Sequence, residues 1–136
     1  VRQEGPKTYL AGSKGFSDGQ ADFGDFSMDP NLWEDYVWPT IASRIPAFES
    51  IKIVTEWVGH YAFNTLDQNA IIGPHSEVNN FMFMNGFSGH GLQQAPAMGR
   101  GMSELLIYGK YQNLDLSPFG YDRILKNEPF LEAAII

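Results

Sequence analysis

The sequence contains no cysteine in its 136 residues. This absence excludes disulfides, thiolate metal ligands and a thiol nucleophile from the chain, so redox chemistry here would need a cofactor. Basic side chains are also few: nine lysines and arginines stand against sixteen acidic residues, and the formal net charge is -7. Because such a chain has no broad basic surface for phosphates, we expect no nucleic-acid partner.

Long uninterrupted hydrophobic runs are missing as well. The longest uncharged stretch, 78–99, has the length of a membrane span, but asparagines, glutamines, a proline and glycines interrupt it. We therefore expect no transmembrane segment. The chain begins at Val1, without a methionine, a signal sequence or an arginine-rich transit segment, and this start is typical of a cut within a longer sequence.

The chain does contain enough apolar material for one domain, since 43% of its residues are hydrophobic and 14% are aromatic. Periodicity and turn residues predict an α+β fold. The predicted elements begin with a hairpin over 1–11, an acidic loop over 12–29, and a helix that starts at Asp29-Pro30, is kinked by Pro39 and ends before Pro46. They continue with strands over 51–58, 70–72 and 81–84, a helix over 92–108 that Gly109 closes, and a short helix beginning at Ser117-Pro118. The strands over 51–58 and 70–72 are expected to be neighbours.

A glycine-rich loop separates the predicted strand over 81–84 from the following helix. Glycines allow a ligand to approach the backbone closely, and the N-terminus of a helix attracts an anion or an electron-rich oxygen. The order Gly86-x-x-Gly89-x-Gly91 is the reverse of the dinucleotide fingerprint, and no Gly-Lys-Ser/Thr follows as in a P-loop. The pattern is therefore compatible with a ligand site and with a tight structural turn.

The histidines do not predict a metal site. His60, His75 and His90 are about fifteen residues apart and lack acidic residues at ligand spacing. His60 and His90 are candidates for contacts with a ligand or for hydrogen bonds within turns, whereas His75 is expected in an exposed loop.

Three segments resemble one enzyme family. The segment 86–96, together with 57–61 and 64–69, is similar to the C-terminal part of the FAD-dependent amine oxidoreductases, the superfamily of D-amino-acid oxidase and sarcosine oxidase. Further matches favour a mitochondrial branch of this family that is linked to the assembly of respiratory complex I. These matches lie at 37–39, 44–49, 73–75 and 115–119.

The resemblance implies FAD as the cofactor. In the family, an N-terminal G-x-G-x-x-G Rossmann unit holds the adenine and pyrophosphate of FAD, and this sequence has no such motif. The chain is therefore expected to be a C-terminal fragment that is not competent without the missing N-terminal half. Residues 1–73 would be part of the substrate-binding domain, with its antiparallel sheet, and 74–136 would supply the flavin-contacting strand, the glycine loop, the C-terminal helix and the tail.

The resemblance also assigns site residues and a reaction. His60 and Tyr61 would lie on the substrate side of the flavin, where the C–N bond of a small amine or an N-methyl amino acid is oxidised. The glycine loop and the start of the helix would contact the flavin ring, with backbone N–H groups donating to its pyrimidine edge. Gln93 stands where sarcosine oxidases carry a lysine for the substrate carboxylate, and a neutral amide does not supply that charge. The expected cofactor-binding residues are Gly86, Gly89, His90, Gly91, Leu92 and Gln93.

Two other functions remain open at this stage. The chain could be a non-catalytic assembly or interaction module for a respiratory complex, or a plain structural domain whose glycine loop binds no ligand. Strands without their neighbours would leave apolar faces exposed, so an isolated chain is expected to form a homodimer or to bind a partner. The resemblance implies a mitochondrial matrix or bacterial cytoplasmic location.

Overall fold

The computed structural model describes residues 1–16 and 19–132. These residues form helices and two small antiparallel sheets, which confirms the predicted α+β class. The chain divides into two compact units, Val1–His60 and Tyr61–Ile136. Within the described ranges, no helix combines the length and apolar character needed to cross a membrane.

The first unit begins with the predicted hairpin. Strands β1 (Arg2–Gln3) and β2 (Tyr9–Leu10) pair antiparallel, with Arg2 opposite Leu10. Phe48 is buried, its ring centroid lies 4.7 Å from that of Tyr9, and its carbonyl accepts a hydrogen bond of 3.1 Å from Trp38 Nε1. This aromatic group is the packing centre of the first unit.

The helix of the first unit starts later than the sequence predicts. A π-helical turn, Trp33–Val37, continues into helix α1, Trp38–Arg44, and a 3-10 helix, Pro46–Ser50, follows. Pro39 is near the start of α1 and has no N–H to donate to the carbonyls of the preceding π-helical turn. The Asp29 side chain does not cap this helix, because its carboxylate accepts the N–H of Phe16 at 2.6 Å.

The predicted strand over 51–58 is also wrong. The structure gives this segment no strand, and Ile53, Val54 and Trp57 are exposed. Its β-branched residues favour an extended backbone, but a strand also needs a partner for its N–H and C=O groups. None of the described residues pairs with this segment.

The second unit contains the other sheet. Strands β3 (Ile71–Pro74) and β4 (Met82–Asn85) pair antiparallel, in a register that places Ile71 opposite Asn85. Both strands lie within two residues of the positions predicted. The expected pairing of 70–72 with 51–58 is wrong, since β3 pairs with β4.

Helix α2 (Gly91–Tyr108) dominates the second unit and ends, as predicted, at Gly109, whose φ of 69° is left-handed. After it, a 3-10 helix (Ser117–Phe119) and helix α3 (Asp122–Lys126) are separated by Gly120, so the single helix predicted from Ser117 is divided in two. The core of the unit lies between β3, α2 and the residue before the 3-10 helix. It consists of Ala70, Ile72, Met98, Met102 and Leu116.

Candidate functional site

The glycine loop, residues 86–91, connects β4 to α2 through a backbone path that few residue types adopt. Gly86 and Gly89 have φ values of 71° and 91°, and Ser88 between them has a φ of 48°. Residues other than glycine rarely adopt these positive φ angles, because their Cβ atom comes too close to a neighbouring carbonyl oxygen. The two glycines therefore set the direction in which the chain enters α2.

Ser88 anchors the loop to the segment over 62–64. Its N–H donates to the Ala62 carbonyl at 3.1 Å, and its hydroxyl donates to the Gly86 carbonyl at 3.2 Å. The same hydroxyl oxygen accepts the N–H of Asn64 at 2.9 Å. Ser88 is 2% exposed, so these hydrogen bonds are shielded from water and fix the loop at its midpoint.

Tyr61 packs directly on the loop. A Cβ atom added to Gly89 would lie 2.8 Å from Cε2 of Tyr61, closer than carbon atoms approach. The ring therefore covers Gly89, while Tyr61 as a whole remains about half exposed. A phenol at this place can touch the loop with its face and a ligand or water with its hydroxyl.

The first turn of α2 offers backbone donors. The first hydrogen bond of the helix runs from the Gln94 N–H to the His90 carbonyl at 3.0 Å, so the N–H groups of Gly91, Leu92 and Gln93 precede the helical ladder. No acidic side chain lies in this turn, and no side chain caps it. The positive end of the α2 dipole therefore remains available to an electron-rich oxygen.

The same turn also contains an acceptor. Oε1 of Gln94 is buried and has no hydrogen-bond partner among the described residues. A buried amide oxygen without a donor is costly, and its usual explanation is a ligand, an ion or a water. Three backbone donors and one acceptor thus lie within one helical turn.

A buried ion pair lies beside the loop anchor. Arg123 donates from Nε to Oδ2 of Asp67 at 2.6 Å and from Nη2 to Oδ1 at 3.1 Å, and the two residues are 7% and 0% exposed. Burial raises the pKa of the Asp67 carboxyl, but the Arg123 guanidinium and the N–H groups of Phe130 and Asn69 outweigh it, so the pKa lies below its ordinary value. Asp67 is therefore ionised at neutral pH.

The predicted catalytic residues occupy different units. His60 is in the first unit, where its Nε2 lies within hydrogen-bond distance of the Asp25 carbonyl and its ring stacks on Phe26 at 4.5 Å. Tyr61 is in the second unit, against Gly89. Their catalytic roles stay predictions. No group of three histidine, aspartate or glutamate side chains that could hold a metal occurs in the described parts of the chain.

The predicted cofactor-binding residues lie in one continuous segment from Gly86 to Gln93. His90 is buried and its N–H donates to the Phe87 carbonyl at 2.8 Å, while Leu92 is 89% exposed.

Asn64 and Ser88 were not identified from the sequence as anchors of the loop, and neither was Arg123 as the partner of Asp67. The side chain of Asn64 accepts the N–H of Leu66 two residues on, a local turn pattern that could have identified it, whereas Arg123 gives no local signal.

Comparisons with known proteins agree on one family. A family model described as FAD dependent oxidoreductase matches residues 1–105. The chain is 44% identical over 128 residues to FAD-dependent oxidoreductase domain-containing protein 1 of Xenopus laevis, covering 94% of this chain and 26% of that protein. The corresponding protein of Bos taurus is 41% identical over 136 residues, which are 99% of this chain and 28% of the relative. These relatives are thus more than three times as long as the region that the chain matches.

More distant relatives include two enzymes with named activities. Monomeric sarcosine oxidase from a Bacillus species is 35% identical over 71 residues, 52% of this chain and 18% of the enzyme. Gamma-glutamylputrescine oxidoreductase from Escherichia coli is 30% identical over 105 residues, 74% of this chain and 24% of the enzyme. No solved structure matches the chain significantly.

Proposed function

The chain belongs to the family of FAD-dependent oxidoreductases, and from this premise we propose that its glycine loop and the start of α2 hold the flavin ring of FAD. In this proposal, residues 74–136 form the flavin-contacting part and residues 1–73 belong to the substrate-binding domain. The adenine and pyrophosphate would be held by sequence outside this chain, since the chain spans about a quarter of the length of its relatives.

The first turn of α2 is the observation that carries the proposal. The pyrimidine edge of a flavin alternates carbonyl oxygens with an N–H group, so it needs both donors and an acceptor. The N–H groups of Gly91, Leu92 and Gln93, which precede the helical ladder, would supply donors, and Oε1 of Gln94, which has no partner among the described residues, would supply an acceptor. The donor set therefore fits the cofactor on which the family depends.

When bound, FAD would supply the acceptor for a hydride that leaves the C–H of a carbon bonded to nitrogen; the nitrogen loses a proton, and the C–N bond becomes an imine. The residues of this chain would bind and orient the reacting groups. Backbone N–H groups at the start of α2 stabilise negative charge that develops near them, because they are fixed in place before the reaction. Tyr61 and His60 are proposed to lie on the substrate side of the site.

The substrate class is proposed from the distant relatives and from Gln93. The sarcosine oxidase and gamma-glutamylputrescine oxidoreductase relatives support a small amine or an N-methyl amino acid. Gln93 is exposed in the first turn of α2 and carries no charge, so it does not favour the carboxylate of an amino acid over a plain amine.

Substituting Leu92 tests flavin binding with little risk to the fold. Its side chain is 89% exposed, and an acidic residue at this position stabilises a helix through the dipole. We expect Leu92→Asp to retain or raise the melting temperature of the full-length protein while weakening FAD binding about tenfold, equivalent to about 1.4 kcal/mol, because the carboxylate repels the flavin oxygens. The visible spectrum and a fluorescence titration with FAD would measure this.

Leu92→Asn is the matched control, since it has nearly the same shape without the charge. It should bind FAD within about twofold of the unmodified protein. Equal FAD affinity for Leu92→Asp and Leu92→Asn, or a colourless full-length protein after reconstitution with FAD, would contradict the proposed site. Bound FAD without turnover of any amine would instead favour the non-catalytic assembly role.

A further inference from the structure

We propose that Asp67 and Arg123 are positioning residues for the flavin-contacting loop, which they hold in place through Asn64 and Ser88. The inference rests on the proposed function for its effect on FAD. The positioning itself concerns only residues of the second unit, so it can be measured without the cofactor.

The guanidinium of Arg123 connects α3 to the segment that supports the loop. Besides the two bonds to Asp67, its Nη2 donates to the carbonyls of Asn69 and Ala70 at 3.1 and 3.0 Å. Its Nη1 donates to the carbonyls of Phe119 and Gly120 at 2.7 and 3.0 Å. One planar side chain therefore orients two pairs of backbone carbonyls that lie about fifty residues apart in sequence.

Asp67, which is held by Arg123, in turn fixes the side chain of Asn64. Oδ1 of Asp67 accepts a hydrogen bond from Nδ2 of Asn64 at 3.0 Å, and the same nitrogen donates to the Asn69 carbonyl at 2.7 Å. The carboxylate is saturated, because it also accepts the N–H groups of Asn69 and Phe130 at 3.2 and 3.0 Å. These hydrogen bonds fix the side chain of Asn64, while its main-chain N–H remains directed at the loop.

The backbone of Asn64 completes the connection. Its N–H donates to Oγ of Ser88, and Oγ donates to the Gly86 carbonyl. The Asn64 side chain also packs close to Gly86, since a Cβ added to that glycine would lie 3.5 Å from Cβ of Asn64. A continuous hydrogen-bonded path therefore runs from α3 to the loop that precedes the helical donors.

Glu104 provides a matched control for the experiment. It is also a buried carboxylate with several donors, being 3% exposed and bonded to Arg100 and Asn113 and to the N–H of Gln112. Within the part of the chain that the structure describes, none of the groups that hydrogen-bond to Glu104 belongs to the glycine loop. Glu104→Gln therefore weakens a comparable set of buried hydrogen bonds in the same unit and leaves those that join Arg123, Asp67, Asn64 and Ser88 intact.

The experiment compares Asp67→Asn, Arg123→Lys and Glu104→Gln in the full-length protein by hydrogen–deuterium exchange over 86–91 and by the dissociation constant of FAD. We expect Asp67→Asn and Arg123→Lys to accelerate exchange of the Ser88 and His90 amides and to weaken FAD binding, each by about tenfold or more. Their bound flavin should also show a shifted visible spectrum, which a general loss of stability does not produce. Glu104→Gln should leave all three readouts within about twofold.

Ser88→Ala keeps the ion pair and removes the hydroxyl that joins Asn64 to Gly86, so it tests the path even if the ion-pair variants fail to fold. It should accelerate exchange over 86–91 in the same way. Unchanged exchange in folded Asp67→Asn and Ser88→Ala, or equal acceleration in Glu104→Gln, would overturn the inference. Accelerated exchange in a protein that binds no FAD would support the positioning role and contradict the proposed function instead.

Discussion

Glu104 shows how one buried carboxylate can fix a chain reversal. Its Oε2 accepts the N–H groups of Gln112 and Asn113 at 2.7 and 3.2 Å, so the chain that leaves α2 is folded back against the helix. These backbone donors, with the side chain of Asn113, outweigh burial and lower the pKa of Glu104 from 4.5 to about 2. A carboxyl that holds its proton more weakly in the folded state stabilises that state only while it is ionised.

The pH dependence of the free energy of unfolding should therefore reveal the contribution of ionised Glu104. Its contribution is fully present above about pH 4.5 and is lost as the pH falls toward about 2. We expect Glu104→Gln to be less stable than the unmodified chain at pH 7, and we expect the difference between them to shrink as the pH falls through this window. Urea denaturation of both proteins at pH 7, 4 and 2.5 measures it. A difference that is constant over this range would contradict the assignment.

At the scale of elements, α2 is positioned by a glycine in its middle. A Cβ on Gly101 would lie 2.3 Å from Cδ1 of Leu116, whereas a Cβ on Gly99 would meet nothing within 4 Å. Leu116 belongs to the core of the second unit. The absence of a side chain at Gly101 therefore allows α2 to approach the segment that precedes the 3-10 helix.

Substituting the two glycines with alanine should have opposite effects. Gly101→Ala is expected to lower the free energy of unfolding by about 1–3 kcal/mol, because the core must move to accept the methyl group. Gly99→Ala should raise it by about 0.5–1 kcal/mol, since alanine has the better helix propensity and the space is open. Thermal or urea unfolding monitored by circular dichroism measures both. A stabilising Gly101→Ala would show that the packing against Leu116 is looser than described.

Elements defined by local signals could be predicted from the sequence. The helix from Gly91 to Tyr108 follows from its apolar spacing and from Gly109, and the glycine loop follows from its composition. The prediction of a strand over 51–58 was wrong, because β propensity alone does not supply a pairing partner. Arg123 could not be assigned to Asp67, because 56 residues separate them and only the fold brings them together.

At the scale of the whole molecule, the two units differ in how much they bury. The second unit has a cluster of five buried apolar residues, with the Asp67–Arg123 pair buried beside them. In the first unit, Phe48 is the one buried side chain among the described residues. Since burial of apolar surface is the main source of folding free energy, the first unit should be the weaker of the two.

Urea should therefore unfold the two units in separate steps, and the sequence supplies a natural probe of each. The three tryptophans, Trp33, Trp38 and Trp57, all lie in the first unit, and the longest helix, α2, lies in the second. We expect the transition in tryptophan fluorescence to occur at lower urea than the transition in helical circular dichroism at 222 nm. Coincident transitions would indicate a single cooperative unit and would contradict unequal stability. Such an outcome would mean that contacts beyond the small core around Phe48 stabilise residues 1–60.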